Sequence, residues 1–168
     1  VGGDYSVTVV MDLGSGAVVA DVMSNELEVD EFAEQSIKML HLYRDPIWGI
    51  EDNDWGITVI KAAEAARYTH LYGESTLKER KNGWHTDNKS RMVMWGELRT
   101  QVNSGKVVVY NADGLRQFAT AMLNLKARGR PEAKSGAHDD YPTACAIAIQ
   151  MEGNAFAYGG KMISVGSR

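Results

Sequence analysis

The sequence predicts an α/β fold, and three observations carry that prediction. A β-hairpin opens the chain, helices and short β-branched runs alternate after it, and no internal repeat or low-complexity segment interrupts the alternation. A hairpin feeding alternating helices and strands builds a mixed sheet with helices on its faces.

Ser6 to Met11 (SVTVVM) and Ala17 to Met23 (AVVADVM) are the hairpin strands, and Asp12-Leu13-Gly14-Ser15-Gly16 between them is turn chemistry. Ser24 and Asn25 can cap the helix that follows, where Phe32, Ile37, Leu40 and Tyr43 recur at helical spacing over 28–44. Asp45-Pro46 stops it, because the residue before a proline avoids the α region. Ile47 to Glu51 is a short strand ending on a carboxylate. Asp54 is the expected N-cap of a helix over 55–68, with Ile57, Ile60, Ala63 and Ala66 on one face. Thr69 to Tyr72 reads as a strand, and 73–86 as a polar loop without apolar period. A helix over 88–103 carries Met92, Trp95 and Leu98, and Gly105 ends it. Lys106 to Tyr110 reads as a strand, Asn111 caps a helix over 112–125, and 126–138 is a basic loop. Asp139 opens the last helix, with Pro142 in its first turn and Ala144, Ile147 and Met151 along one face. From Gly153 the tail is Gly-rich and fits either a hairpin or disorder.

At 168 residues the chain fits a single domain, 1–168, with a core that needs no staples. Cys145 is the single cysteine, which excludes an intramolecular disulfide framework and a Cys-based zinc site. No apolar run approaches the roughly 20 residues that span a bilayer, and no basic segment followed by an apolar one opens the chain, so neither a membrane partner nor secretion is expected. A chain that starts on Val reads as a piece of something longer. The net charge of −4 argues against a polyanionic partner, but its distribution does not. Six acids lie within 21–34 with no Lys or Arg among them, whereas Lys78, Arg80, Lys81, Lys89 and Arg91 face only Glu79 and Asp87. Lys126, Arg128, Arg130 and Lys134 face only Glu132. The two basic segments are either solvated loops or two arms that grip a phosphate backbone, and DNA binding through them would be weak and salt-sensitive.

The nucleotide-binding glycine motifs are missing: there is no G-x-x-x-x-G-K-[ST], and Gly14-Ser15-Gly16 sits in a hairpin turn without a third glycine. His41, His70, His85 and His138 share no ligand spacing on a helix, so they read as surface or loop residues. The informative residues are carboxylates at element boundaries. Glu51 ends a strand, Asp139-Asp140 begins a helix, and Asp4 precedes the first strand. Acids at a strand end and at a helix start can meet at one sheet edge, where crowded carboxylates are stable only around hard divalent cations. The same residues also serve as plain helix caps, and spacing alone leaves both readings open.

These segments resemble the C-terminal nuclease domain of the terminase large subunit of tailed double-stranded DNA phages, which has an RNase H-like, integrase-like fold. The resemblance covers most of the chain. It rests on Gly3-Asp4-Tyr5-Ser6-Val7 before the hairpin, Glu51-x-Asn53-x-x-Gly56 after a strand, and His138-Asp139-Asp140 opening an Ala-rich helix. Gly83-Trp84-His85-Thr86, followed by Lys89 and Arg91, is similar to the family in that region. The resemblance implies an RNase H-like mixed sheet flanked by helices, and a triad of acids holding two Mg²⁺ or Mn²⁺ ions about 3.5–4 Å apart. Glu51 matches the second acid and Asp140 the third, with Asp139 beside it as a supporting or alternative ligand. The family's first acid lies on an opening strand upstream of the Gly-Asp-Tyr segment. Only two strands precede the first helix here where the fold has three, so either that strand lies before Val1 or Asp4 is itself the first acid.

By the same resemblance the protein is a metal-dependent endodeoxyribonuclease that cuts concatemeric viral DNA during packaging in the cytoplasm of an infected bacterial host. Its partners are then double-stranded DNA and, in the full-length protein, an ATPase domain, the portal protein and the small terminase subunit. Two rival readings stay open: another RNase H-like nuclease such as a Holliday-junction resolvase, and a non-catalytic domain that docks the portal or a motor partner.

Overall fold

A computed structural model of the protein describes residues 3–75, 80–128, 133, 136–152 and 162–167. Two strands, β1 (Ser6–Asp12) and β2 (Ala17–Ser24), pair antiparallel from Ser6↔Ser24 to Asp12↔Ala17, with a bulge between Val10 and Met11. The Asp12 carboxylate closes their turn by accepting from the Gly14 and Ser15 amides and the Ser15 hydroxyl. Gly16 has φ +70°, and a Cβ there would lie 1.7 Å from the Lys106 carbonyl oxygen, so the position needs glycine twice over.

Helix α1 (Val29–Leu42) starts with a capping box in which Glu28 and Glu31 exchange side-chain-to-backbone bonds. The expected caps do other work: the Ser24 hydroxyl accepts from the Glu26 and Leu27 amides in the turn before the helix. Arg44 and Asp45 leave α1 with positive φ, and β3 (Ile47–Ile50) follows, buried along its whole length. Helix α2 (Asp54–Ala65) is capped by Asn53, not Asp54. Its buried residues are Gly56, Val59, Ile60 and Ala63, while Ile57 and Ala66 are exposed. The expected face was therefore rotated by about one residue.

The segment read as a loop over 73–86 contains a small hairpin, β4 (Gly73–Ser75) with β5 (Arg80–Asn82). The expected strand at 69–72 reduces to one parallel bridge from Leu71 to Trp48, held by Trp48 N–H to the His70 carbonyl and Tyr72 N–H to the Trp48 carbonyl. Lys106 to Tyr110 likewise makes only one bridge, Val108 to Ala17. Helices α3 (Asn88–Asn103) and α4 (Ala112–Arg128) stand as expected, Asn111 accepting from the Asp113 and Gly114 amides, with α4 running three residues further. In α3 the buried residues are Met94, Trp95 and Leu98, and Met92 is exposed. Helix α5 (Asp140–Gln150) is buried on every side from Asp140 to Ile149, not along one face.

The tail corrects the sequence reading most. Met162–Ser167 is one strand, β6, and it lies inside the sheet, whose order is β2-β1-β6-β3. It runs antiparallel to β1 and parallel to β3. The protein is thus an α/β fold with a mixed four-stranded sheet, and the place beside β1 is filled from the far end of the chain. One core joins α3, α4 and α5 to Val7, Val9 and Val165; the other joins α1 and α2 to Val10, Trp48 and Ile50. Among the described residues no helix is long and apolar enough to cross a membrane.

Two glycines give opposite expectations. A Cβ on Gly114 of α4 would meet the Tyr141 ring at 2.9–3.0 Å, and that ring is tethered by its hydroxyl to Asp21 at 3.0 Å. Gly114→Ala should cost about 1–3 kcal/mol in urea unfolding. Gly96 of α3 has open space around it, so Gly96→Ala should gain about 0.5–1 kcal/mol. Equal effects at the two sites would contradict this packing.

Candidate metal centre

Three distant segments meet at one end of the sheet: the end of β3, the residues just before β1, and the start of α5. At the end of β3, Glu51 donates its amide to the Gly166 carbonyl at 3.0 Å and bridges Trp84 in parallel. The Glu51-x-Asn53-x-x-Gly56 spacing now has a physical cause. Asn53 uses its Oδ1 to cap α2 on the Gly56 amide at 2.8 Å, and its Nδ2 donates to Glu51 Oε2 at 3.1 Å. Gly56 must be glycine because a Cβ would lie 1.7 Å from the Glu51 carbonyl oxygen. One asparagine therefore starts a helix and aims a carboxylate.

At the start of α5, the Tyr5 amide donates to Asp140 Oδ2 at 3.0 Å across 135 residues. That bond brings Asp4 alongside. His138 Nδ1 lies 3.7 Å from Asp4 Oδ1 and 3.8 Å from Asp140 Oδ2, and its ring packs edge-on to Tyr5 at 5.0 Å. One ligand atom from each of Asp4, His138 and Asp140 falls within 4.8 Å of the others. Asp139 turns elsewhere. It pairs with Arg91 of α3 at 2.7 Å and accepts from the Ala133 amide at 3.1 Å. Arg91 also lies over the Trp95 ring, 5.6 Å from its centroid.

Burial pushes the Asp140 carboxyl up to about 6; the Tyr5 amide opposes the rise, the Asp139 and Asp4 charges add to it, and His138 opposes it. Burial also raises Glu51; the Thr86 hydroxyl and the Arg91 charge counter that rise, and the Asp52 and Asp139 charges reinforce it. Asp52 goes the other way. Burial alone would raise it, but Lys81 at 2.8 Å and His85 at 2.9 Å hold it below its usual range.

The structure gathers Asp4, Asp140 and His138, and places Glu51 within the electrostatic reach of Asp139. Among the described residues, the three-ligand cluster does not include Glu51, which had been expected to share metals with Asp140. Asp139, expected as a supporting ligand, is the ion-pair partner of Arg91. His138 was passed over as a loop histidine. Helical spacing is the wrong filter for a ligand set drawn from two segments; the usable signal was its place two residues before Asp140. The other histidines have local roles: His41 faces Asp45, and His70 Nδ1 meets the Asp45 carbonyl.

The basic residues are less free than their sequence suggests. Lys81 pairs with Asp52 and Arg91 with Asp139, while Lys89 is exposed in the first turn of α3. Lys78, Arg130 and Lys134 lie outside the described residues, as do the side chains of Arg80, Lys126 and Arg128. The acidic 21–34 segment serves the fold in part, since Asp21 accepts from Asn111 and from the Tyr141 hydroxyl.

No family model matches the chain, and neither does any curated protein. The donor set itself suits a metal ion. Two carboxylates and an imidazole converge, one carboxylate is raised by desolvation and by its acidic neighbours, and a divalent cation relieves both effects. Oxygen donors suit Mg²⁺ and Mn²⁺, and the imidazole tilts the set toward Mn²⁺.

The same desolvation predicts a stability effect. The Asp140 carboxyl ionises at 3.8 in its ordinary state and at about 6 when folded, so metal-free protein loses stability as pH rises through that interval. Asp140→Asn removes the loss. By thermal unfolding in EDTA, the variant should match wild type near pH 3.8 and exceed it by about 3 kcal/mol well above pH 6. A variant less stable than wild type at pH 8 would contradict a desolvated carboxylate at this position.

Proposed function

We propose that the protein is a metal-dependent endodeoxyribonuclease of the kind that trims concatemeric viral DNA during packaging. The observation that carries the reading is the convergence of Asp4, His138 and Asp140, with Glu51 close by, at one end of a mixed α/β sheet. The quoted Gly-Asp-Tyr, Glu-x-Asn-x-x-Gly and His-Asp-Asp segments, which resemble terminase nucleases, supply its substrate class.

Asp4, His138 and Asp140 would hold one cation, and Glu51, steadied by Asn53, would serve a second. A divalent cation bound there supplies an electrophile for a phosphodiester oxygen and a water acidic enough to attack phosphorus. The residues of the chain do the rest. Asp140 must be deprotonated to bind metal, so metal affinity, and activity with it, should weaken as pH falls. Arg91 neutralises Asp139 and keeps that second acid from competing for the site. Lys89, exposed at the start of α3, is available to meet a backbone phosphate.

Supercoiled plasmid with Mn²⁺ tests the reading. Wild type should nick and linearise it, EDTA should stop the reaction, and Glu51→Ala and Asp140→Asn should each lower the rate at least a hundredfold. Undiminished cutting by folded Glu51→Ala would remove that residue from the chemistry. A preference for four-way junctions over linear duplex would point to a resolvase. Protein that binds Mn²⁺ and cuts nothing would point to a docking domain.

A further inference from the structure

A groove of about 200 Å³ opens beside the cluster, and His138 lines both. Its walls are mixed. Tyr5 and Met23 bring an aromatic and a thioether side chain to the lining, and α4 brings Asp113, Arg116, Gln117 and Thr120. Gln117 is the informative residue. It is only 6% exposed, and its Oε1 is committed to the Tyr141 amide at 2.8 Å. That bond fixes the orientation of the amide and leaves Nε2 as a shielded donor with no partner among the described residues. The Arg116 guanidinium at the rim is paired with Asp113, so the groove presents no net cation to a free anion.

We infer that this groove is a subsite for one unstacked nucleobase of the bound strand, the phosphate next to that base lying at the Asp4–His138–Asp140 cluster. The inference rests on the nuclease reading for the placement of the phosphate. Shape and polarity argue for the base itself. A ring and a thioether offer faces for a flat heterocycle, and a donor without a partner asks for an acceptor. Every base carries a carbonyl oxygen or ring nitrogen that can accept, so the subsite would hold a base without reading sequence. The paired Asp113 and Arg116 disfavour a second phosphate in the same place.

The test uses dTMP as the probe, with diamagnetic Mg²⁺ for the resonance shifts and Mn²⁺ for calorimetry and Tm. In wild type, dTMP should shift the side-chain amide resonances of Gln117, and an amide that does not move overturns the proposal without any variant. Thr120→Phe and Ala137→Leu fill the groove from different walls and leave the metal ligands intact. Each should weaken dTMP binding at least tenfold in titration calorimetry while the Mn²⁺-induced rise in Tm is kept. Unchanged dTMP affinity in either folded variant overturns the proposal. The nuclease reading is judged separately, by plasmid nicking. Loss of dTMP binding in the filled variants of a protein that cuts no DNA would leave the subsite standing and remove the nuclease.

Discussion

The burial of α5 on all sides is the constraint on which the rest of the structure depends. From Asp140 to Ile149 no residue of this helix reaches solvent freely, so β1, β6, α3 and α4 must wall it in. Small residues let them approach: Ala144, Ala146 and Ala148 lie within the helix, and Gly114 faces it from α4. A helix enclosed in this way has its N-terminus fixed to within a side chain's reach. Its N-cap and first residue are Asp139 and Asp140, and the Tyr5 amide ties Asp140 to the start of β1. The candidate metal centre is a consequence of that docking. Its ligands come from residues 4, 138 and 140, which no local structure could bring together.

Charge acquires a different meaning in this frame. The sum of −4 includes half-buried acids with assigned partners, Asp21 with Tyr141 and Asn111, Asp139 with Arg91, and Asp52 with Lys81 and His85. At the site itself, Asp140 is desolvated beside Asp4 and His138. Glu26, Glu28, Asp30, Glu31 and Glu34 stay exposed on the surface. A divalent cation at the Asp4–His138–Asp140 cluster would offset the carboxylate charge gathered there.

The hairpin, the helices and the buried β3 were legible because each carries a local signal: β-branched runs, turn residues, caps and periodicity. β6 was not. Its MISVGS sequence has no alternation, because helices cover both faces of the sheet, and its glycine fits where a Cβ would come within 3.2 Å of Trp48 Nε1. The N-cap of α2 was misplaced by one residue, because Asn53 and Asp54 are equally good caps and only the bond to Gly56 separates them. At the site, strand-end and helix-start acids pointed to Glu51 and Asp140. Spacing could not show that Arg91 would claim Asp139, nor that His138 would turn to meet Asp4, since both depend on α3, α5 and the chain start packing together.

On the proposed reading, an imidazole and two carboxylates from these segments hold one divalent cation. Pulsed electron paramagnetic resonance of the Mn²⁺-loaded protein tests it most directly. The predicted result is a nitrogen hyperfine coupling from His138 on the bound ion, absent in folded His138→Gln. Mn²⁺ bound tightly with no nitrogen coupling, or with a coupling that survives His138→Gln, would contradict the account.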